Sequence, residues 1–163
     1  PEVHVRIDEE SGEIQIKGPN VLQCYWRQPE KTKESYTTDG WFKTGDLGKV
    51  DVAGNVTITG RAKELIISGG FNIYPQEIIN CLVEHPHIKE AAVIGVNDQK
   101  RGELVKAYIV KENQSITAEE IVEYCKKHLA SFKIPKSIEF LESLPRNAMG
   151  KLQLQNLPNR ERL

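Results

Sequence analysis

Residues 60–78 read GRAKELIISGGFNIYPQEI. Within them, the apolar run Leu65–Ile67 predicts a short strand, and the paired glycines that follow permit backbone conformations closed to other residues. Pro75 suits the first turn of a helix, because its missing N–H removes no helical hydrogen bond there. The stretch therefore predicts a strand, a glycine turn and a helix. We place a domain boundary just ahead of the strand, at Arg61–Glu64.

The part of the chain before this boundary, residues 1–62, shows the patterns of β-structure. Glu13–Lys17 alternates apolar and polar side chains, as a half-buried strand does. Residues 48–59 predict a hairpin with its turn at Ala53–Asn55. The polar stretch Arg27–Asp39 predicts a loop. We interpret residues 1–62 as a β-rich segment.

The part after the boundary, residues 63–163, alternates predicted strands with helices. The helix that starts near Pro75 is expected to stop at Pro86, and Thr117–Glu120 forms a capping box that opens a second helix, which runs to about His128. Further strands are predicted at Ala91–Val96, Val105–Val110 and Ser137–Phe140. A short sheet with helices on it belongs to the α+β class.

The composition argues against several classes of function. The 163 residues carry 22 basic and 23 acidic side chains, whereas proteins that bind nucleic acids or membrane surfaces show a basic stripe. The sequence contains no apolar run long enough to span a bilayer and no secretory leader. Because the chain begins at Pro1 rather than at a methionine, we expect a fragment of a longer protein, from which an amino-terminal address could have been removed.

The cysteines and histidines follow no disulfide or metal-ligand pattern. Cys24, Cys81 and Cys125 are widely spaced, and no two of them form a C-x-x-C pair. Cys81 and Cys125 fall within apolar helical patterns, so we expect them to be small core residues. This cysteine usage favours a reducing compartment, and we expect a cytoplasmic protein with no metal site in this segment.

A second informative stretch lies near the end of the chain, where residues 144–151 read LPRNAMGK. A lysine directly after a glycine can be carried on a mobile loop into a site that another part of the protein builds. Its compact ammonium suits phosphate or carboxylate charge that shifts during a reaction. The stretch is not a phosphate-cradling P-loop, because no Ser or Thr follows Lys151. On this residue alone, a solvated surface lysine is the alternative.

Three motifs in a fixed order carry a family resemblance. Residues 40–48 read GWFKTGDLG, and residues 60–78 and 144–151 follow them. Together they resemble the carboxyl-terminal part of the adenylate-forming acyl- and aryl-CoA synthetases, the superfamily that also contains firefly luciferase and peptide-synthetase adenylation domains. The resemblance runs from about Gly12 to about Gln155. Among members, residues 70–75 and 144–151 look most like malonyl-CoA synthetases.

The resemblance implies an ATP-dependent carboxylate–CoA ligase that forms an acyl-adenylate and then a thioester with CoA. Residues 1–62 would be the β-rich end of the large adenylation domain, and residues 63–163 the mobile carboxyl-terminal domain. The implied partners are a carboxylic acid, ATP, CoA and the missing large domain of the same chain, with no nucleic acid. Mg²⁺ that accompanies ATP would be held mainly by that missing domain. We therefore expect this fragment alone to be inactive.

For the adenylation step, the resemblance implies a role for each of four residues. Lys151 would offset negative charge on the reacting groups, and Asp46 would hold the ribose of ATP. Arg61 would lie near the nucleotide, and Lys63 would be the hinge about which the carboxyl-terminal domain rotates. On the residues themselves, Asp46 could instead be a turn aspartate, Arg61 could form a surface salt bridge, and Lys63 could be an ordinary linker lysine.

For the thioester step, the resemblance implies that Ser68, Gly69 and Gly70 line the tunnel for the pantetheine arm of CoA. Phe132 and Lys133 would contact the CoA nucleotide by stacking and by charge. The chain departs from some members in this region: Ile134 stands where they carry arginine, and Arg101 where they carry tryptophan. A plain tight turn at the glycines and a core role for Phe132 remain open.

Two other functions compete with the CoA ligase. A peptide-synthetase adenylation domain would pass its acyl group to a carrier protein instead of CoA. A non-catalytic interaction domain of the same fold would not need Lys151 or Asp46, and both are present. The identity of the acid and the oligomeric state are not encoded in these motifs.

Overall fold

The computed structural model describes residues 2–112 and 116–158. The chain divides into two compact units, Pro1–Lys63 and Glu64–Leu163, which we call the first and the second unit. Each unit has its own sheet.

The first unit is a four-stranded antiparallel sheet whose strands follow chain order: β1 (His4–Ile7), β2 (Glu13–Lys17), β3 (Phe42–Val50) and β4 (Val56–Arg61). The predicted strand at Glu13–Lys17 is confirmed. The predicted hairpin is also confirmed, with longer arms than expected, since β3 begins at Phe42 and β4 ends at Arg61. β1 was not predicted, although Val5 and Ile7 alternate with His4 and Arg6, and none of its side chains is fully buried.

The prediction of a loop over the whole stretch Arg27–Asp39 was wrong. The stretch contains a short helix, α1 (Pro29–Glu34). Pro29 suits the first turn, and the Glu30 carboxylate lies near the positive end of the helix dipole. No residue of α1 is buried, so the helix lacks the apolar stripe by which a helix is recognised in a sequence.

The second unit contains a five-stranded sheet made of β5 (Ile66–Ser68), β6 (Phe71–Ile73), β7 (Ile88–Asp98), β8 (Gly102–Lys111) and β9 (Ser137–Leu141). β8 is the central strand, because it pairs with β7 antiparallel along its length and with β9 in parallel. At its first residue, Gly102, it also pairs with Ser68 of β5. The predicted strands of this unit are confirmed with shifted ends, whereas the three-residue β6 was not predicted.

Two helices complete the second unit, α2 (Pro75–Val83) and α3 (Ala118–His128). α2 begins at the predicted proline, and α3 ends at the predicted histidine. The capping box is present: Glu120 N–H donates to Thr117 Oγ1 at 3.3 Å, and Thr117 N–H donates to Glu120 Oε2 at 2.9 Å. The α+β fold class is confirmed.

Each face of this sheet carries an apolar cluster, because successive side chains of a strand point to opposite faces. The helix-side cluster joins α2 and α3 to the strands and includes Ile78, Leu82, Val93, Val105, Ile109 and Ile121. The tail-side cluster joins the strands to the chain after β9 and includes Ile94, Val96, Tyr108, Val110, Leu144 and Leu157. The segment that carries Lys151 is therefore anchored on the face opposite the helices.

The two helix cysteines are core residues, as predicted. Cys81 on α2 and Cys125 on α3 are buried, and their side chains lie within hydrogen-bond distance of each other. Burial raises the pKa of the Cys125 thiol to about 12 and also raises the pKa of Cys81. Since the thiolate is the reactive form of cysteine, these residues contribute packing rather than nucleophilic chemistry.

Candidate functional site

Asp46 and Arg61 form an ion pair in the first unit. They lie opposite each other on β3 and β4, and Asp46 Oδ1 is 2.8 Å from Arg61 Nε. The Asp46 side chain is 24% exposed and that of Arg61 is 58% exposed. Among the contacts described for residues 2–112 and 116–158, none engages Oδ2 of Asp46. This second oxygen can therefore accept a hydrogen bond from a ligand hydroxyl.

The backbone just before Asp46 is held by side chains of the same sheet. Gly45 has a φ of +75°, in the region that favours glycine, and its N–H donates to Glu13 Oε1 at 2.8 Å. Thr44 Oγ1 donates to the Ile14 carbonyl at 2.7 Å and accepts from the Asp46 N–H at 3.1 Å. The whole Thr-Gly-Asp motif is thus fixed to the sheet, and the carboxylate is held in one direction.

Lys63 is the last residue of the first unit and is exposed. It lies in a single 3₁₀ turn, Ala62–Glu64, none of whose residues is buried. A change in the backbone angles of this turn would therefore disturb no core packing of its own. This is the property that a hinge needs.

Within the lysine motif, residues 146–151 form a turn that we call the lysine tip. Leu144 before the tip and Leu152 after it belong to the tail-side cluster, and Arg146 pairs with Leu152 across the base of the turn. Met149 is 91% exposed, and Lys151 is exposed as well. The base is therefore anchored by apolar contacts while the lysine stands in solvent.

Asn147 closes the lysine tip. Its side-chain Oδ1 accepts hydrogen bonds from the N–H groups of Met149, at 3.0 Å, and Lys151, at 2.9 Å. Its own N–H donates to the Lys151 carbonyl at 2.9 Å. Gly150 has a φ of +78°, and its N–H donates to the Asn147 carbonyl at 2.9 Å. Asn147 thereby determines the direction in which the backbone presents Lys151.

Arg146 connects the lysine tip to the sheet. Its Nη1 donates to the Gly150 carbonyl at 2.9 Å, and its Nη2 lies 2.5 Å from Oε2 of Glu90 on β7. The sequence suggested a mobile loop around Lys151, but the observed tip is closed by its own hydrogen bonds and tied to a strand. The Arg146–Glu90 ion pair thus holds the tip to the sheet of the second unit.

Residues Ser68–Gly70, which we call the glycine loop, connect β5 to β6. Gly69 and Gly70 have φ values of +57° and +84°, so any other residue at either position would strain the backbone. Ser68 is buried and pairs with Gly102, whereas both glycines are exposed. Of the three predicted CoA-contacting residues of this loop, only the two glycines are accessible in this structure.

An aromatic surface lies next to the glycine loop. The ring of Phe71, directly after Gly70, stacks on the ring of Phe132 with centroids 4.5 Å apart and an interplanar angle of 15°. Phe71 is 53% exposed and was missed by the sequence analysis, although its place after two glycines was a usable signal. Lys133 Nζ lies 2.5 Å and 2.7 Å from the two carboxylate oxygens of Glu77. The structure thus brings the glycine loop, Phe132 and Lys133 together.

The described residues hold no metal-binding cluster: within 2–112 and 116–158, no group of three or more His, Cys, Asp and Glu side chains is arranged to bind a metal ion. In the same part of the chain, no helix is long and apolar enough to cross a membrane.

Comparison with known proteins assigns part of the chain to a family. Residues 77–151 match the family described as the AMP-binding enzyme C-terminal domain. The chain is 45% identical over 148 residues to the 2-succinylbenzoate–CoA ligase of Bacillus licheniformis. It is 43% identical over 141 residues to the long-chain-fatty-acid–CoA ligase FadD13 of Mycobacterium tuberculosis. These alignments cover 91% and 86% of this chain but only 30% and 28% of the two relatives.

The solved structure of ATP-bound MatB from Rhodopseudomonas palustris gives a TM-score of 0.88 at 44% identity, and the match covers 95% of this chain and 33% of MatB. The apo structure of MatB, at the same identity and coverage, gives a TM-score of 0.66. The matched part of MatB therefore differs between its two structures. From the family match and these similarities, we conclude that residues 77–151 form an AMP-binding enzyme C-terminal domain and that the chain is similar to the carboxyl-terminal part of adenylate-forming acyl-CoA synthetases.

Proposed function

We propose that this chain is part of an ATP-dependent carboxylate–CoA ligase, in which the second unit serves two reactions in turn. One observation carries the proposal. The lysine tip is anchored in the tail-side cluster, whereas Phe132, beside the glycine loop, packs against the helix-side cluster on the opposite face of the sheet. A rigid unit cannot present both faces to one reaction centre at the same time. It can present them one after the other if it rotates.

In the first reaction, a carboxylate oxygen of the acid attacks the α-phosphorus of ATP, and pyrophosphate leaves. Negative charge accumulates around the phosphorus in the transition state, where the Lys151 ammonium offsets it. Asp46 accepts hydrogen bonds from the ribose hydroxyls through the carboxylate that Arg61 orients. Mg²⁺ that accompanies ATP would neutralise phosphate charge, and the large domain that this chain lacks would mainly hold it.

In the second reaction, the CoA thiol gives up its proton, its sulfur attacks the acyl carbon of the adenylate, and AMP leaves. Gly69 and Gly70 carry no side chains, so a narrow pantetheine arm can pass close to their backbone. The stacked rings of Phe71 and Phe132 offer an apolar face to the CoA base. Lys133 can exchange its contact with Glu77 for a CoA phosphate, since both partners are anions.

The full-length protein tests this proposal directly. We expect acid-dependent exchange of pyrophosphate into ATP, followed by consumption of CoA with release of AMP. Malonate is the first acid to test, because the glycine and lysine motifs look most like those of malonyl-CoA synthetases. Transfer to a carrier protein but not to CoA would favour the peptide-synthetase alternative. The absence of pyrophosphate exchange with a broad panel of acids would favour a non-catalytic domain.

The hinge role of Lys63 predicts that the two reactions can be uncoupled. Lys63→Pro fixes φ near −65° and removes a backbone N–H, so the turn can no longer follow a rotation that changes φ. We expect the ratio of the two half-reaction rates to change by about tenfold or more, because small misplacements of catalytic groups are costly. Pyrophosphate exchange measures the first rate, and CoA consumption from synthetic acyl-adenylate measures the second.

Lys63→Ala is the matched control, because it removes the side chain and keeps the backbone free. It should leave the ratio of the two rates close to that of the wild type. If Lys63→Pro lowers both rates by the same factor, Lys63 is an ordinary linker residue and the turn at Ala62–Glu64 is not a hinge.

The closed lysine tip gives a further prediction. Asn147→Ala removes the acceptor for the N–H groups of Met149 and Lys151, so the backbone no longer presents Lys151 in one direction. We expect adenylation by the full-length enzyme to fall by up to about 30-fold, since two hydrogen bonds of about 1 kcal/mol each are lost. Asn147→Asp keeps an acceptor oxygen and should retain more activity. Equal activity of the wild type and Asn147→Ala in pyrophosphate exchange would show that the tip needs no such closure.

A further inference from the structure

We propose that Glu103 positions the glycine loop for thioester formation, and that Gly95 provides the space that the Glu103 carboxylate occupies. Glu103 touches neither the acid nor the nucleotide in this scheme, and it acts through the backbone of Ile67. The inference rests on the proposed function, in which the glycine loop receives the pantetheine arm of CoA.

Residues 67–69, at the start of the glycine loop, are connected to residues 101–103, at the start of β8, by three successive links. Gly69 N–H donates to the Arg101 carbonyl at 2.8 Å, and Ser68 pairs with Gly102. Ile67 N–H donates to Glu103 Oε2 at 2.7 Å. The first two links use backbone groups, which every residue supplies. The third link uses the side chain of Glu103, so it is the one that depends on which amino acid stands at position 103.

The carboxylate of Glu103 replaces a missing strand contact. β5 pairs with β8 at Ser68 and Gly102, and the N–H of Ile67 donates to the Glu103 side chain rather than to a backbone carbonyl of β8. Oε2 of Glu103 takes the place that a strand carbonyl would have, and a hydrogen bond to an ionised acceptor is stronger than one between neutral groups. The side chain therefore extends the pairing by one residue, up to the segment that leads directly into the glycine loop.

Gly95 explains how the carboxylate fits against the sheet. Gly95 lies within β7 and pairs with Val105, and its φ is not in the left-handed region that favours glycine. A glycine inside a strand weakens it, so its presence indicates that another group approaches closely. A Cβ at Gly95 would lie 2.5 Å from Glu103 Oε1 and 2.8 Å from its carboxyl carbon. Any side chain at this position would displace the carboxylate from Ile67.

The turn between β7 and β8 fixes the backbone carbonyl that accepts a hydrogen bond from the glycine loop. Asp98 Oδ1 accepts from the N–H groups of Lys100, at 3.0 Å, and Arg101, at 2.8 Å. The Arg101 carbonyl is thereby fixed where it receives the Gly69 N–H. Position 101, at which some family members carry tryptophan, serves the glycine loop here through its backbone. The exposed Arg101 side chain is not needed for that contact.

The test uses four variants of the full-length enzyme: Glu103→Ala, Glu103→Gln, Gly95→Ala and the double variant Gly95→Ala/Glu103→Ala. We expect Glu103→Ala to raise the KM for CoA by about tenfold, the loss typical of one charge-assisted hydrogen bond, and to leave pyrophosphate exchange within about twofold. Glu103→Gln should raise the KM for CoA much less than Glu103→Ala does, because its amide oxygen can still accept a hydrogen bond from the Ile67 N–H. Glu142→Ala, which removes an exposed glutamate outside this arrangement, is the matched control.

Gly95→Ala makes the test specific. If the new methyl group acts only by displacing the carboxylate, it should reproduce the KM shift of Glu103→Ala, and the double variant should be no worse than either single variant. Amide hydrogen exchange gives a readout that does not depend on catalysis: exchange of the Ile67 N–H should accelerate in Glu103→Ala and in Gly95→Ala, but not in Glu142→Ala.

Three outcomes would overturn the inference while leaving the proposed function standing. The first is an unchanged KM for CoA in Glu103→Ala. The second is an equal loss in both half-reactions, which would indicate general damage to the fold. The third is an additive loss in the double variant. A wild-type enzyme that makes no CoA thioester would instead overturn the proposed function, and the exchange of the Ile67 amide would then still report whether Glu103 holds the strand.

Discussion

Lys151→Ala in the full-length enzyme is expected to slow adenylation by about 10²–10³-fold and to leave thioester formation from preformed acyl-adenylate nearly unchanged. The magnitude is typical of removing one preorganised group that meets developing charge. The structure supports the assignment because Lys151 is exposed at the end of a tip whose backbone is fixed by Asn147 and Arg146. Pyrophosphate exchange and CoA consumption from synthetic acyl-adenylate measure the two steps separately.

Lys127→Ala is a suitable control, since Lys127 is an exposed lysine on α3, away from the motifs. It should leave both steps at the wild-type rate. Lys151→Arg is a useful companion, because it keeps the charge but replaces a compact ammonium by a planar, larger group. A loss of the same size in both half-reactions of Lys151→Ala would show that the lysine has no special role in adenylation.

Asp46→Ala is expected to weaken ATP binding by roughly 10- to 150-fold. Hydrogen bonds to a charged acceptor are worth about 1.5–3 kcal/mol, and the ribose hydroxyls would lose such an acceptor. The variant should fold, because the Arg61 side chain that loses its partner is 58% exposed and stays solvated. Calorimetric titration of the full-length protein with ATP measures the affinity.

The ion pair between Asp46 and Arg61 allows a sharper version of this experiment. If Arg61 only orients the carboxylate, Arg61→Ala should weaken ATP binding less than Asp46→Ala, and the double variant should match Asp46→Ala. If Arg61 also contacts the nucleotide, the double variant should bind ATP more weakly than either single variant. Unchanged affinity in Asp46→Ala with an intact fold would remove Asp46 from the nucleotide site.

Much of the fold could be predicted where the signal is local. The capping box at Thr117–Glu120, the proline that opens α2 and the alternation in Glu13–Lys17 each lie within a few residues, and each was found in the structure. The elements that were missed are short or exposed. β6 has three residues, and α1 buries none, so neither carries a periodic pattern that could be recognised.

The candidate sites could be predicted only as residue types, because their geometry depends on pairing between distant segments. The contact between Asp46 and Arg61 follows from the register of β3 against β4, which includes an irregularity between Leu47 and Gly48. The stacking of Phe71 on Phe132 joins β6 to a turn near β9. A shift of one residue in either pairing would separate the partners. No local sequence pattern specifies such a register.

The closure of the lysine tip also has a consequence for conformational entropy. A catalytic lysine on a disordered segment would have to lose the backbone freedom of its neighbours whenever the site formed, at roughly 1–2 kcal/mol per residue. In this chain, the hydrogen bonds of Asn147 impose that loss when the second unit folds, long before any substrate is bound. The ammonium can then arrive with its backbone already ordered, and its electrostatic attraction remains available to lower the barrier of the reaction.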